Sequence, residues 1–443
     1  MAKMVRGKQS DQPNYQKLGF KLEPQTSTTV FAVITIPAKL VDVIYQEASF
    51  SQRDAAQTYG FQANNVPLEY ITHTYHANLI EHLKEFILKF FVIGFLYREL
   101  RHRTISLADD PKLVGIDLDL HHDACYTFEL NLFPSIGIIN WKYLPFKPPA
   151  RKRYKDLDRQ VENFVEEELT SISQQTENGI QAGDWILFAL ALADKDNNIL
   201  LDNYSEQFWL KVGNEEVDNT LREVLNGKNI GDEIFTTVNS LQEYFSDQID
   251  TNYNFCIKIL DIQPYSYFCF DQFKKHFRIK TKKNTHQKLV EVFSYRNDLS
   301  QRRGMAEEAL SLLLSKHPFT LPESLVQQQE KIILETMYQS PDYNVYRLQK
   351  DFKENVRELS EKQVRESIFI DQLAYHEKLS LTNEDVKLYL NFTKRPRMKE
   401  FLYFDPPPSR IGGQEMPIIA QELKQCCLRE KTLNHIIYYL TKK

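Results

Sequence analysis

Gly60-Phe61-Gln62-Ala63-Asn64-Asn65-Val66-Pro67 is an uncharged loop with glycine at its start and proline at its end. Glycine supplies a left-handed or otherwise open backbone, and proline keeps the residue before it out of the helical region. Upstream, Val30-Phe31-Ala32-Val33-Ile34-Thr35-Ile36 reads as a strand, and a helix-like run extends from Lys39 to about Tyr59. Downstream, an amphipathic pattern runs from Leu68 to about Arg103, with Leu79, Leu83, Phe86, Ile87, Phe90 and Ile93 spaced by threes and fours. Such a stripe packs on a sheet. Ala124 to Phe133 alternates as a strand ended by Pro134.

The remaining chain divides by character. Pro145, Pro148 and Pro149 bracket an extended connector, followed by an acidic helix pattern from Asp156 to Leu169. A second unit opens at Gly183-Asp184. Its first strand is Trp185 to Leu190, Asp194 to Asn198 forms a hairpin turn, and Tyr253 to Leu260 is the last strand. From about Asp271 onward helix-length patterns dominate.

Composition narrows the function classes. The chain has 443 residues, enough for two to four domains, and 42% hydrophobic and 26% charged residues are ordinary for a folded protein. A net charge of −5 argues against bulk attraction to nucleic acid or anionic lipid. With 14 glycines against 28 Phe and 23 Tyr, the chain leans to helix and to large cores or apolar binding surface. Met1 to Lys21 lacks the apolar run of a signal peptide. The uncharged stretch Phe90 to Tyr97 is far short of the roughly 18 apolar residues of a membrane span. Five cysteines without a Cys-x-x-Cys pair, and histidines without a completing Glu or paired ligand, lead us to expect no metal and no cofactor, in a cytoplasmic protein.

The order strand, helix, Gly-Phe-loop-Pro, long helix resembles the ribosome-docking domain of trigger factor, the bacterial chaperone of nascent chains. In that family the loop reads Gly-Phe-Arg-x-Gly-Lys-Val-Pro. Gly60, Phe61, Val66 and Pro67 keep the frame, while Gln62, Ala63, Asn64 and Asn65 bring no cation. The second unit resembles the family's prolyl-isomerase insert of the FK506-binding-protein type: Phe208-Trp209-Leu210 and Gly213 precede a short helix, then Gly227-Lys228-Asn229-Ile230-Gly231-Asp232-Glu233. Leu321-Pro322-Glu323-Ser324-Leu325-Val326 resembles the entry to the helical arm. Leu381-Thr382-Asn383-Glu384-Asp385-Val386 resembles a later helix start with Thr382 as its cap.

The resemblance implies an α+β multidomain chain. It would comprise an α+β ribosome-binding domain over 28–134, an extended connector over 135–178 lying back along the helical part, an isomerase-type α+β insert over 179–264, and an all-α chaperone domain over 265–443. The implied function is shielding of newly synthesised polypeptides, with roles in folding, export and cell division, and a dimer off the ribosome. Docking would use Gly60, Phe61, Gln62, Asn64, Asn65 and Pro67. Because phosphate contacts need cations, it would be weak or carried by other residues. Clients would meet Phe319, Leu325, Ile332, Met337 and Tyr338, a set that interhelical packing would equally explain.

Prolyl isomerisation faces a barrier of roughly 20 kcal/mol, which the family lowers in an aromatic cup that excludes water. Tyr244 and Phe255 fall where two cup aromatics are expected, or they simply pack a core. Leu190 stands where the first-strand aromatic should be, and Leu210, Val217 and Leu221 complete the candidate lining. Val217-Asp218-Asn219-Thr220-Leu221 replaces the family's Val/Ile-Pro-Gly-Phe/Trp run and brings the Asp218 carboxylate to the mouth of a site that works dry. We therefore expect a retained fold with weak or absent activity. The alternatives are an active prolyl isomerase, or a ribosome-independent holdase or RNA-binding scaffold using the basic runs 142–159 and 274–288, whose cations are interleaved with aromatics.

Overall fold

Alternation builds the first sheet. The computed structural model describes residues 17–26, 29–55, 60–61, 65–103, 105, 107, 111–133, 136–149, 156–172, 179–194, 196–200, 206–245, 253–265, 268–296, 299–338, 342–411 and 413–442. Strands β1 (Gly19–Pro24) and β2 (Thr29–Ile36) pair antiparallel, and every second β2 residue is buried. Helices α1 (Ala38–Ala55), α2 (Leu68–Thr74) and α3 (His76–Ile87) follow, then a π-helical stretch Leu88–Val92 and α4 (Ile93–His102). Strands β3 (Lys112–Asp117) and β4 (Ala124–Asn131) complete a sheet of order β1-β2-β4-β3.

Two details differ from the sequence expectation. The long helix is interrupted at Tyr75, where the backbone leaves the helical region and starts a new turn. The sheet also gains β1 and β3, neither of which alternates cleanly; β3 is largely exposed and bulged at Leu113/Gly115. Edge strands need bury little, so their apolar pattern is faint.

After α5 (Leu157–Ile172) comes the second sheet: β5 (Trp185–Ala193), β6 (Glu206–Lys211), α6 (Asn219–Leu225), β7 (Glu233–Thr236), α7 (Asn239–Phe245) and β8 (Asn254–Gln263). The turn after β5 is closed by Asp194, whose carboxylate accepts from the amides of Asp196 and Asn198, while Asn197 adopts φ +62°. The helical part holds α8 (Phe270–His276), α9 (Lys282–Phe293), short strands β9 (Tyr295–Arg296) and β10 (Leu299–Ser300), α10 (Gln301–Lys316), α11 (Glu323–Tyr338), α12 (Tyr343–Tyr346), α13 (Phe352–His376) and α14 (Asn383–Lys394). It ends with two-residue strands β11 (Arg410–Ile411), β12 (Gln414–Glu415) and β13 (Ile418–Ile419) and helix α15 (Ala420–Thr441).

The second sheet has order β13-β6-β5-β8-β7, so the helical part contributes its edge strand, with Ile418 opposite Trp209 and Ile419 opposite Phe208. Every β5 residue is buried, because both faces are covered. Ile186, Phe188, Leu190 and Leu192 join the core of the first sheet and its helices. Trp185 and Leu187 join a second core with α5, α8, α9, α14 and α15. A strand buried on both sides reads as a continuous apolar run, as Trp185-Ile186-Leu187-Phe188 does.

Phe86 stacks on Tyr253 at 4.1 Å between centroids and Phe90 on Phe255 at 6.0 Å, so aromatic rings knit the first helix layer to the second sheet. A third core lies among α10, α13 and α15. The connector is fastened there, with Ile138 and Trp141 buried in that core and Glu377 accepting from Trp141 Nε1 and Lys142 Nζ. Burial opposes ionisation of Glu377, but these hydrogen bonds and the Lys142 charge hold its carboxyl down at about 2. Thr382 caps α14 as read from sequence: its hydroxyl accepts from the Asp385 amide, and the Asp385 carboxylate accepts from the Thr382 amide. Aspartate is long enough to close this box.

Candidate polypeptide-binding surfaces

A cavity of about 550 Å³ opens where α4 meets α13 and α15. Ile93, Tyr97, Leu100, Phe133, Leu325, Ile368 and Ile419 give it an apolar lining, and Arg101, Asp371, Glu422 and Arg429 supply charge. Arg429 donates to both Asp371 oxygens at 3.0 and 2.8 Å. Arg101 donates to Gln421, and burial lowers its pKa. Burial raises that of Glu422. A mostly apolar hollow of this size with a few fixed polar groups is the usual form of a binding site. None of these polar residues carries a local sequence signal; Arg101 and Gln421 are 320 positions apart.

The candidate client residues divide between this cleft and the arm made by α11 and α13. Leu325 lines the cleft. Phe319 packs edge-on against Phe133 at 5.8 Å, under the Arg365 guanidinium. Ile332 and Tyr338 lie exposed on α11, Tyr338 at 74%, and Met337 is half-buried. Leu334, Val345, Tyr346 and Leu348 add exposed apolar surface, with Leu348 at 80%. Scattered exposed apolar residues are ordinary, but a run of them along one arm is not.

On the second sheet, the candidate proline-pocket residues Leu190, Leu210, Leu221 and Phe255 are buried in one closed core, whereas Val217 points to solvent at 47% exposure. The Tyr244 side chain lies outside the described residues. Asp218, which the sequence reading brought to the mouth of a dry site, is not left there without partners. It is buried, and its two oxygens accept from the amides of Glu415 (2.9 Å) and Glu215 (3.3 Å). Charge-assisted bonds from backbone amides are strong, which is how a carboxylate is tolerated there. Leu210, Leu221 and Asp218 line a void of only about 10 Å³, walled on its far side by Gln414 and Glu415.

In the loop that opened the sequence reading, Gly60 has φ +94° and the Phe61 ring packs on Tyr70 at 5.3 Å. Asn65 and Pro67 are exposed and Val66 is buried, while Gln62, Ala63 and Asn64 lie outside the described residues. The run 274–288 does not present alternating cations and rings. Phe277 is buried, His276 bonds Asn434, Lys274 pairs with Asp271, Lys288 with Glu291 and His286 with Asp158. In the run 142–159, Lys142 is tied to Glu377, and 150–155 lie outside the described residues. The histidines weighed as ligands have other duties: His76 bonds the Tyr45 hydroxyl, His82 that of Tyr253, and His121 pairs with Asp42. Among the described residues no cluster could hold a metal, and no helix is long and apolar enough to cross a membrane.

Residues 281–396 match the family model for the bacterial trigger factor protein C-terminus. The trigger factor of Geotalea daltonii is 23% identical over 362 residues, 79% of this chain and 80% of that protein. The trigger factor of Clostridium kluyveri is 20% identical over 388 residues, 84% and 88% of the two chains. A solved structure of the trigger factor chaperone, from work on promiscuous substrate recognition, is similar at 15% identity over 95% of this chain and 99% of that one, with a TM-score of 0.36. The helical region thus matches the family's C-terminal model, and distant sequence likeness to trigger factors extends along some four-fifths of the chain.

Proposed function

We propose that this protein is a nucleotide-independent holding chaperone that shields apolar segments of nascent and unfolded polypeptides. The observation that carries this is the exposed apolar side chains of Ile332, Tyr338, Val345 and Leu348 on the arm, together with the apolar cleft lined by Leu325. Many weak contacts on separate surfaces of one chain hold a flexible client by avidity. The test is suppression of aggregation of a chemically denatured client diluted into buffer. Suppression near stoichiometric protein, lost in Ile332→Ser/Tyr338→Ser, supports the reading; no suppression by the wild type ends it.

The isomerase-type unit serves here as scaffold. Four of its candidate pocket residues, Leu190, Leu210, Leu221 and Phe255, fill a core, and the void beside Leu210 and Leu221 has room for about one water molecule rather than a prolyl ring. The expected outcome is no acceleration of a proline-limited refolding step. Ribosome attachment through the 60–67 loop is correspondingly weak, since among its residues none is cationic. In co-sedimentation at low salt, Gln62→Arg/Asn65→Lys would pellet and the wild type would not; equal pelleting of both would move docking to other residues.

A further inference from the structure

We propose that the aromatic end of α15 and the connector turn beside it form a binding face for single-stranded nucleic acid, with cations that engage its phosphates and an exposed ring on which a base stacks. This face shares no residue with the arm or the cleft, and it does not depend on the chaperone reading.

Three segments distant in sequence meet there. The rings of Tyr438 and Tyr439 stand edge to face at 5.3 Å. The Arg278 guanidinium, just past the end of α8, lies 4.7 and 5.5 Å from their centres. Lys142 Nζ lies 4.9 Å from the Tyr439 ring, and Lys442 Nζ 5.4 Å from the Tyr438 ring. Neither basic run supplies the rings for its own cations; α15 does. The charges do not cancel. Glu377 takes up Lys142 at 2.6 Å, whereas Arg278, Lys280 and Lys442 have no carboxylate partner among the described residues, and all three are exposed. Two residues separate Lys280 from Arg278, which keeps their Cα atoms within about 7 Å. Arg278 donates instead to His435 Nδ1 at 2.8 Å. Burial first, and the Arg278 charge second, lower the His435 pKa.

Two features set this face apart from ordinary packing. Helix α8 closes with the Ile279 amide donating to the Lys274 carbonyl at 2.7 Å and the Arg278 amide to the Lys275 carbonyl at 3.2 Å. That ending places its middle residue in the left-handed region, where glycine is usual. Here the residue is Arg278, at φ +54°. Backbone strain of this kind concentrates where a side chain has a further use. The second feature is Tyr143, which is 80% exposed and makes no ring contact among the described residues. It belongs to the short turn Trp141–Tyr143, whose Trp141 is buried in the third core, so an anchored backbone holds a bare ring in water beside Lys142. Every base has a face that stacks on such a ring, and a guanidinium plane offers another platform. An acidic peptide would use the same cations but has no base to lay on Tyr143.

The experiment is fluorescence anisotropy of a labelled ten-nucleotide oligoadenylate titrated with the full chain. Three phosphate contacts give a log–log salt slope of about −2 on a single strand, so affinity should fall about twentyfold between 50 and 200 mM salt. Lys280→Ala/Lys442→Ala alters exposed side chains alone; it should weaken binding about twentyfold at 0.1 M salt and bring the slope to about −0.7. Arg278→Gly relieves the turn while removing a contact, so it should lower the slope magnitude by about 0.7 with folding intact. Tyr143→Ala should weaken binding about tenfold at an unchanged slope, and Tyr143→Phe should restore it. No binding at 50 mM salt overturns the proposal, as does a Tyr143→Ala protein that binds like the wild type. Displacement by polyphosphate or polyglutamate of matched charge as readily as by unlabelled oligoadenylate also overturns it, and would make this a face for acidic polymers in general.

Discussion

Removing one oxygen from Tyr253 tests whether the first helix layer and the second sheet form one body. Tyr253 is buried, and its hydroxyl lies 2.7 Å from His82 Nε2. His82 is itself buried, and its Nδ1 has no partner. Tyr253→Phe keeps the ring, and with it the stack on Phe86 at 4.1 Å, but leaves the imidazole bonded on neither nitrogen. An orphaned buried polar group costs about 1–3 kcal/mol. Replacing both partners by apolar groups is close to neutral, so His82→Leu/Tyr253→Phe should recover most of the loss.

Urea unfolding followed by tryptophan fluorescence reports the second sheet through Trp185 and Trp209 together with the third core through Trp141, and hydrogen exchange of the β2 and β4 amides reports the first sheet. We expect Tyr253→Phe to weaken both sheets together, because their side chains share one core. A cost below about 0.5 kcal/mol, the level of ordinary surface changes, would refute the reasoning. So would single-variant costs that simply add in the double variant, or exchange that rises in only one sheet.

The same histidine sets a pH dependence. Burial, partly offset by Glu85, holds the His82 pKa at about 4 against an ordinary 6.5. Between those values the unfolded chain binds a proton that the native chain does not, so this site's contribution to stability falls as pH drops from 6.5 towards 4. The slope is about 1.4 kcal/mol per pH unit at most, and there is no further change below 4. Wild type and His82→Leu should therefore diverge in urea midpoint across that window, and parallel curves would contradict it. Thr382→Ala removes the hydroxyl that caps α14 and should cost about 1 kcal/mol, read by chemical denaturation; a change of a few tenths would mean Asp385 holds the helix start without it. A Cβ at Gly213 would lie 1.9 Å from Asp218 Oδ2. Gly213→Ala should therefore displace the Asp218 carboxylate and cost roughly 1–3 kcal/mol as overpacking, with raised exchange at 414–415. Unaltered exchange there would show that Asp218 does not hold β12.

Periodicity was enough to read β2, β4 and α3, because each buries a face whose apolar spacing matches its own repeat, and β5 was legible as a continuous apolar run. The Thr382 cap was legible for the same reason: both partners lie three residues apart. Strands β1 and β3 were not, since edges bury little. The candidate pocket residues were found as apolar positions on strands and a short helix, but a closed core and an open cup use the same residue types. Only neighbours decide between them.

Local order, fold class and family likeness thus follow from the amino-acid sequence, through propensity, period and the Gly-to-Pro loop frame. Tertiary structure decided what fills the space between elements. It placed the rings of Phe86 and Phe90 against Tyr253 and Phe255, and made Asp218 the buried acceptor of an amide 197 residues away. It also formed the cleft from Tyr97, Leu325 and Ile419. These are contacts between distant residues, and no local pattern encodes them, because whether such a group meets water, a partner or a core is settled only when the whole chain has closed around it.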